Sequence, residues 1–423
     1  MGRMVGAVAG EPAWHPAIPS GPAPTPLAGS VDPYIPRAGE PAPMGITDFG
    51  VAPTPGGYTP YSYATSEWWA DANISKLLAN DGVNLSGHAS VGFQLNVVVK
   101  FHSPTAGDVA YWIQDVASVD TISRTIEFVD NIWNMSSTSI YSSSVAGNGS
   151  VNNAGGIQWY ADAPNCAGLP GGYAGNCVVM QYPTHLTMRV TTGRFGGVPH
   201  VTFQYYVPTT GWVTYDNASF PFAAGSTDVG FVVDGTQYTP IGIYYDAEFD
   251  YTGPSGGIMY DRSTAMQLQL EFWNGHNLES PPTTFDFGAN TAEQISNVRA
   301  LPLLGVSNGS LASNVTTGPG RLSALYTRAN VSILNVTTPT VTQGTLLVGG
   351  ERHPFVGSEA LLTLAPGRYD IALLNSSGVV NSANVTLSPG GYLHVVLGAL
   401  TPYPVTALER GLPSGSLWTV HLA

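Results

Sequence analysis

The sequence predicts an all-β protein, a large antiparallel β-sandwich followed by a smaller Ig-like β-sandwich module. Three observations carry that reading. Apolar and polar residues alternate with a period of two over many short runs. Fifty glycines and thirty-three prolines punctuate those runs in a chain of 423 residues. No helical period lasts longer than about two turns. With 43 % apolar residues there is material for a sizeable core and for more than one domain.

Taken in order, residues 1–43 are a Pro/Ala/Gly-rich leader or propeptide with little to bury. Its start, "MGRMVGAVAG", has one Arg and a short small-residue run in the manner of a signal remnant. Residues 44–301 form one long run of strand-like segments. In "SVGFQLNVVVKF" Val91, Phe93, Leu95, Val97 and Val99 share one face, and Gln94 and Asn96 the other. In "MQLQLEFW" Met266, Leu268, Leu270 and Phe272 oppose Gln267, Gln269, Glu271 and Trp273. In "IGIYYDAEFDYTGPSGG" Ile243, Tyr245, Ala247 and Phe249 oppose Tyr244, Asp246, Glu248 and Asp250. Two such sheets pack apolar face to apolar face. Their outward faces, rich in Gln, Asn, Tyr, Trp and carboxyls, have the composition of a binding groove. Residues 302–325 read as a linker and 326–400 as an Ig-like module, its "LAPGRYDIALLNSSG" hairpin resembling PEGA-type modules. Residues 401–423 read as the start of a further Ig-like repeat that breaks off in mid-strand.

Charge narrows the function. Fourteen basic residues face twenty-eight acidic ones, for a net charge of −14. A basic nucleic-acid footprint is absent, so no nucleic-acid partner is expected. Few charges and many hydroxyls and amides suit an acidic habitat, where carboxyls are protonated and few bases keep self-repulsion low. Eleven Asn-x-Ser/Thr acceptors, Asn73 and Asn217 among them, favour a secreted or cell-surface glycoprotein. Cys166 and Cys177 flank a glycine-rich loop and suit a local disulfide. Two cysteines without neighbouring histidines make a poor zinc site, and no metal or organic cofactor is indicated. No stretch is long and apolar enough to span a bilayer.

The familiar catalytic motifs are missing: G-x-S-x-G, the P-loop, H-E-x-x-H and paired D-T-G or D-S-G. Histidines are scattered, and at acid pH His276 in "WNGHN" would be a cation and a poor base. Carboxyls and carboxamides remain. A carboxylate can deprotonate water, and a neutral donor can stabilise the oxyanion that forms.

Seven blocks add a resemblance: "PMGITDFGV", "QLNVVV", "YWIQDVA", "FVDNIWN", "YYDAEFDYTGPSGG", "LEFWNGHN" and "ANTAEQISN". In this order, across roughly residues 44–300, they resemble the thermopsins, acid peptidases of thermoacidophilic archaea. The resemblance implies a secreted endopeptidase with polypeptide substrates and a propeptide. The family's aspartic-type grouping implies two carboxyls sharing a proton, with Asp115 and Asp246 the pair. A second likeness, of "DAEF" and "YWIQDV" to blocks of the glutamic peptidases, implies Glu248 as general base and Gln114 as oxyanion donor. Alternation favours this second pair, because Gln114 and Asp115 point to opposite faces and Trp112 accompanies Gln114. Glu271 is a further alternate. Trp112, Gln94, Tyr244, Trp273, Asn274 and His276 are expected to line the substrate groove. The competing reading is a non-catalytic surface sandwich that binds polysaccharide or the cell envelope, an association the C-terminal modules would suit in either case.

Overall fold

The structure, a computed structural model, describes residues 40–54, 57–80, 90–135, 137, 144–162, 177–179, 181–235, 237–238, 243–254, 257–306, 310–318 and most of 326–398. The leader up to residue 39, Cys166 and residues 401–423 lie outside them. The chain forms two compact units, the first reaching Ile333 and the second built mainly from Leu334–Leu362 and Gly367–Leu387.

In the first unit the principal strands are β1 (Met44–Asp48), β2 (Glu67–Lys76), β3 (Ser90–Ser103), β4 (Gly107–Asp120), β5 (Thr125–Asn134), β6 (Ser150–Ala154), β7 (Ile157–Asp162) and β8 (Thr184–Phe195). There follow β9 (Val198–Val207), β10 (Gly211–Ser219), β11 (Ala247–Thr252), β12 (Ala265–Trp273), β13 (Thr283–Phe287), β14 (Val298–Val306) and β15 (Ser310–Thr317). One sheet runs β6-β7-β5-β4-β3-β11-β1-β13 and the other β10-β9-β8-β2-β12-β15-β14, with shorter strands at the margins. Neighbours along both are antiparallel. Tight turns make the hairpins. Between β8 and β9, Gly196 and Gly197 take φ of 58° and 84°, the left-handed pair that a type I′ turn requires.

The inner faces meet as alternation requires. Trp68, Ala70, Ala72 and Ile74 of β2 join Phe93, Leu95, Val97 and Val99 of β3 in one buried cluster. Between the sheets the rings of Phe128 and Tyr205 stack at 3.9 Å. The second unit holds a four-stranded sheet (Glu351–Val356, Gln343–Val348, Gly367–Asn375, Gly378–Leu387), with Leu346, Val348, Ile371 and Leu373 buried.

Four expectations change. The stretch read as a linker contributes the strand β15, paired in register with β12 and β14, and Leu311, Ala312, Ser313 and Val315 are buried there. Its Ser/Asn-rich composition hides a strand because a strand between two partners needs small residues as much as apolar ones. Tyr326–Thr327, assigned to the second module, pairs with β13 of the first sheet. The acidic strand is interrupted: Ile243–Tyr244 pairs with Gln237–Tyr238, a bend follows at Tyr245, and β11 begins at Ala247. The outward face of the first sheet is also roofed. β3 is buried on both faces through its middle, and Val98, Ala110, Trp112, Met135, Ile243 and Tyr245 form a small core over it.

Candidate active site

Residues opposite one another on paired strands present their side chains to the same face. Thr47 of β1 pairs with Glu248 of β11, Glu248 with Asn96 of β3, Asn96 with Gln114 of β4, and Gln114 with Asn131 of β5. These five form one polar row across the outward face. Two residues along, Asp250 pairs with Gln94. On the other side Trp112 pairs with Trp133, whose ring stacks on Trp159 at 5.1 Å. The row is buried up to Asn131, which is half-buried: Glu248, Asn96 and Asp250 have no exposed surface, and Gln94 and Gln114 next to none.

Glu248 sits at the centre of three carboxyls. Its Oε1 accepts the backbone N–H of Ala289 at 2.7 Å and of Asn290 at 3.1 Å. Its Oε2 accepts Asn96 Nδ2 at 3.1 Å. Asp246 and Asp250 both lie within hydrogen-bond reach of Glu248. Burial pushes all three above the ordinary carboxylate range. For Glu248 the donors of Ala289, Asn96 and Asn290 pull the other way. For Asp246 and Asp250 the negative field of Glu248 adds to burial. The triad therefore ionises at Glu248 first, while its neighbours stay acids. Hydrogen bonding agrees. As a carboxylate, Asp246 Oδ2 would be buried without a donor, and Asp250 would have only the Thr47 hydroxyl within reach; as acids they donate to Glu248.

Three features hold this arrangement. Asn290 donates from Nδ2 to Asp246 and accepts the N–H of Tyr244 at 2.9 Å, tying the segment after β13 to the turn before β11. With Ile243 and Tyr245 it covers this face, while the Tyr244 ring turns the other way onto Phe49. Glycines admit Asp250: a Cβ at Gly288 would stand 1.8 Å from Asp250 Oδ2, and one at Gly45 2.7 Å from Oδ1. Asp48, next to Thr47, is pushed by burial to about 6, against hydrogen bonds from Tyr61, Tyr63 and the Gly50 N–H.

The sequence candidates divide among four places. Gln114, Gln94, Trp112, Asp246 and Glu248 share the roofed face, whereas the Tyr244 ring packs on Phe49 in the main core. Gln114 is not next to Glu248, however; β3 lies between them, and its Nε2 donates to Gln94 Oε1 at 2.9 Å. Asn96 is the amide on Glu248. Asp115 points to the inner face, where Tyr215 donates to its Oδ1 at 2.6 Å, so Asp115 and Asp246 do not meet. Glu271 and Trp273 lie on the outward face of the other sheet. Glu271 there lines a groove of about 560 Å³ with Trp69, Asp71, Thr187, Tyr206, Trp212 and Gln269. Asn274 Oδ1 accepts the N–H groups of His276 and Asn277 at 2.8 Å in an exposed turn beyond β12. Cys177 is disulfide-bonded, and Cys166 is outside the described residues.

Sequence reasoning missed Asn96, Asn290, Asp48 and the glycines as parts of this site. Alternation had already placed Asn96 beside Gln94 on the polar face, so its signal was present. Asn290 contacts Asp246 from 44 residues away, which no local pattern reports.

Among the described residues no helix is long and apolar enough to cross a membrane. The thermopsin family model matches residues 29–298, a span that contains the whole carboxyl row. Thermopsin of Sulfolobus acidocaldarius is 29 % identical over 285 residues, covering 63 % of this chain and 79 % of that protein. A match across well over half of the chain, with a carboxyl-based site and none of the serine, cysteine or zinc motifs, identifies it as a member of the thermopsin family of acid peptidases.

Proposed function

We propose that the protein is a secreted acid endopeptidase in which Glu248 is the general base and Asp246 the neighbouring acid. The carboxyl triad supports this reading: one anion fed by three N–H donors, with two acids held against it. Amide and backbone donors keep their protons at any pH, so they favour the Glu248 anion where a histidine would already be a cation. Glu248 takes a proton from water as the water oxygen attacks the peptide carbonyl carbon. Asp246 gives its proton to the carbonyl oxygen, and a neutral tetrahedral intermediate forms. The Glu248 proton then passes to the leaving nitrogen as the C–N bond breaks, and Asp246 recovers its own proton from the hydroxyl. The two carboxyls titrate as a pair. Gln114, held between Gln94 and Asn131, positions the row, and the Trp112–Trp133–Trp159 aromatics offer stacking surfaces for substrate side chains. The roof of Ile243, Tyr245 and Asn290 must part before a peptide reaches Glu248.

Export is supported by the acceptor asparagines, of which Asn73 and Asn217 are exposed. The polysaccharide-binding reading is favoured by one observation, the aromatic and acidic groove around Trp69 and Trp212. Digestion of a denatured protein across pH 1–7 decides. Cleavage that peaks in acid and disappears in Glu248→Gln, with folding intact, supports the peptidase. No cleavage by the folded wild type at any pH selects the binding protein, and an active Glu248→Gln removes Glu248 from the mechanism.

A further inference from the structure

A second set of carboxyls lies on the other side of the same sheet. Asp130 of β5 pairs with Asp115 of β4 and with Asp162 at the end of β7, so all three point to the inner face. Asp216 reaches them from β10 in the facing sheet. It does so through a bulge: register shifts where Phe203 pairs with Asp216 and Gln204 with Thr214, and Tyr215 and Asp216 both turn inward. One oxygen each from Asp130, Asp162 and Asp216 can be chosen so that all lie within 4.8 Å of one another.

The walls of this space are built. Asp216 is oriented by Tyr160 Oη at 2.6 Å, the Asn148 N–H at 2.8 Å and the Asn217 N–H at 2.7 Å. The Tyr160 hydroxyl in turn accepts the Gly149 N–H at 2.7 Å. A Cβ on Gly147 would fall 2.2 Å from the Tyr160 hydroxyl and 2.7 Å from Asp216 Oδ1, so the backbone closes directly over the site. Asp130 has no exposed surface, and neither of its oxygens has a hydrogen-bond partner. Among the described residues no Lys or Arg is ion-paired with Asp115, Asp130 or Asp216. A fully buried carboxyl with two unsatisfied oxygens, aimed at two further carboxyls, calls for a bound proton or ion.

We propose that Asp130, Asp162 and Asp216 bind a single calcium ion between the two sheets. The donors are all hard oxygens, which excludes a zinc-type site and suits calcium, whose shell is flexible. Asp130 can supply two oxygens, and Asp216 Oδ2 keeps a lone pair beyond the one used by Tyr160. Asp162 is part-exposed and leaves a side for water to complete the shell. Tyr160 and the backbone N–H groups of Asn148 and Asn217 set the orientation of the ligands from behind. The ion would fasten β5 and β7 of one sheet to β10 of the other.

The test uses the full chain, stripped with EDTA and titrated with calcium chloride at pH 7 by calorimetry and thermal unfolding. One ion should bind per chain, and calcium at about a hundred times its dissociation constant should raise the unfolding midpoint by about 5 °C. EDTA should reverse the shift, and Asp130→Asn should abolish it. Should Asp130→Asn not fold, Asp162→Asn, at the part-exposed edge, should weaken binding at least about tenfold. No calcium uptake by the wild type overturns the proposal, as does an undiminished shift in either folded variant.

Discussion

Two acidic clusters lie back to back on one sheet and are wired differently. Around Glu248 the donors are amides and backbone N–H groups, fixed in number, and two neighbouring acids complete the set. Around Asp130 the donors are phenols and turn N–H groups that serve Asp115 and Asp216 and leave Asp130 bare. The first cluster is organised to hold a single negative charge, as a base requires. The second gathers carboxyls around an Asp130 whose two oxygens have no donor. Burying carboxyls therefore does not define a catalytic site; the supply of donors does.

The sharpest way to break this comparison is to neutralise one acid on each side. Glu248→Gln should lower kcat/KM on a denatured protein substrate, measured at the wild type's own pH optimum, by about 10³-fold, while Asp115→Asn should stay within about threefold of wild type. The reverse result would move the chemistry to the inner cluster. A smaller effect concerns stability. Burial raises the carboxyls of Asp48, Asp246, Glu248 and Asp250, so the native state holds their protons more tightly than the unfolded chain does. Their stabilisation is full below the ordinary carboxyl value and is lost as pH rises through the native one, about 6 for Asp48. The urea midpoint should thus rise as pH falls from about 6 to about 4. Asp48→Asn should remove about 2 kcal/mol of that dependence.

Gly288→Ala comes next. Its Cβ would press on Asp250, and the overpacking should cost about 1–3 kcal/mol in denaturant unfolding. Smallest of all, Glu271→Gln on the far sheet should leave kcat/KM unchanged within about twofold, provided that the roofed face carries the reaction. A loss of more than about tenfold would bring the Trp69–Trp212 groove into the mechanism.

The residues themselves announced much of this. Period-two alternation is a local signal, so the all-β class and the common face of Gln94, Asn96, Gln114 and Glu248 could be read directly. What alternation cannot report is what covers a face. The wet groove expected above Glu248 is a roof, because Asn290 reaches back to Asp246 and the Tyr244 backbone through contacts remote in sequence. A one-residue bulge in β10 likewise sends Tyr215 and Asp216 inward together, against the alternation of their neighbours. The β15 strand was obscured for a compositional reason: "SNGSLASNVTT" looks like a linker until it is flanked by two partners.

The glycines beside Asp250 have one more consequence. Acids recur at every second residue from Asp246 to Asp250, so sliding β11 by two positions along β1 would keep acids on one face and apolar residues on the other. Hydrophobic patterning, which penalises a slip of one, is blind to a slip of two. Gly45 and Gly288 are not. They leave room against their α-carbons for a carboxyl at position 250, and that fit picks a single alignment from several of nearly equal polarity. Two residues with no side chain thus act as the key that decides which of three similar acids takes the central place among the N–H donors.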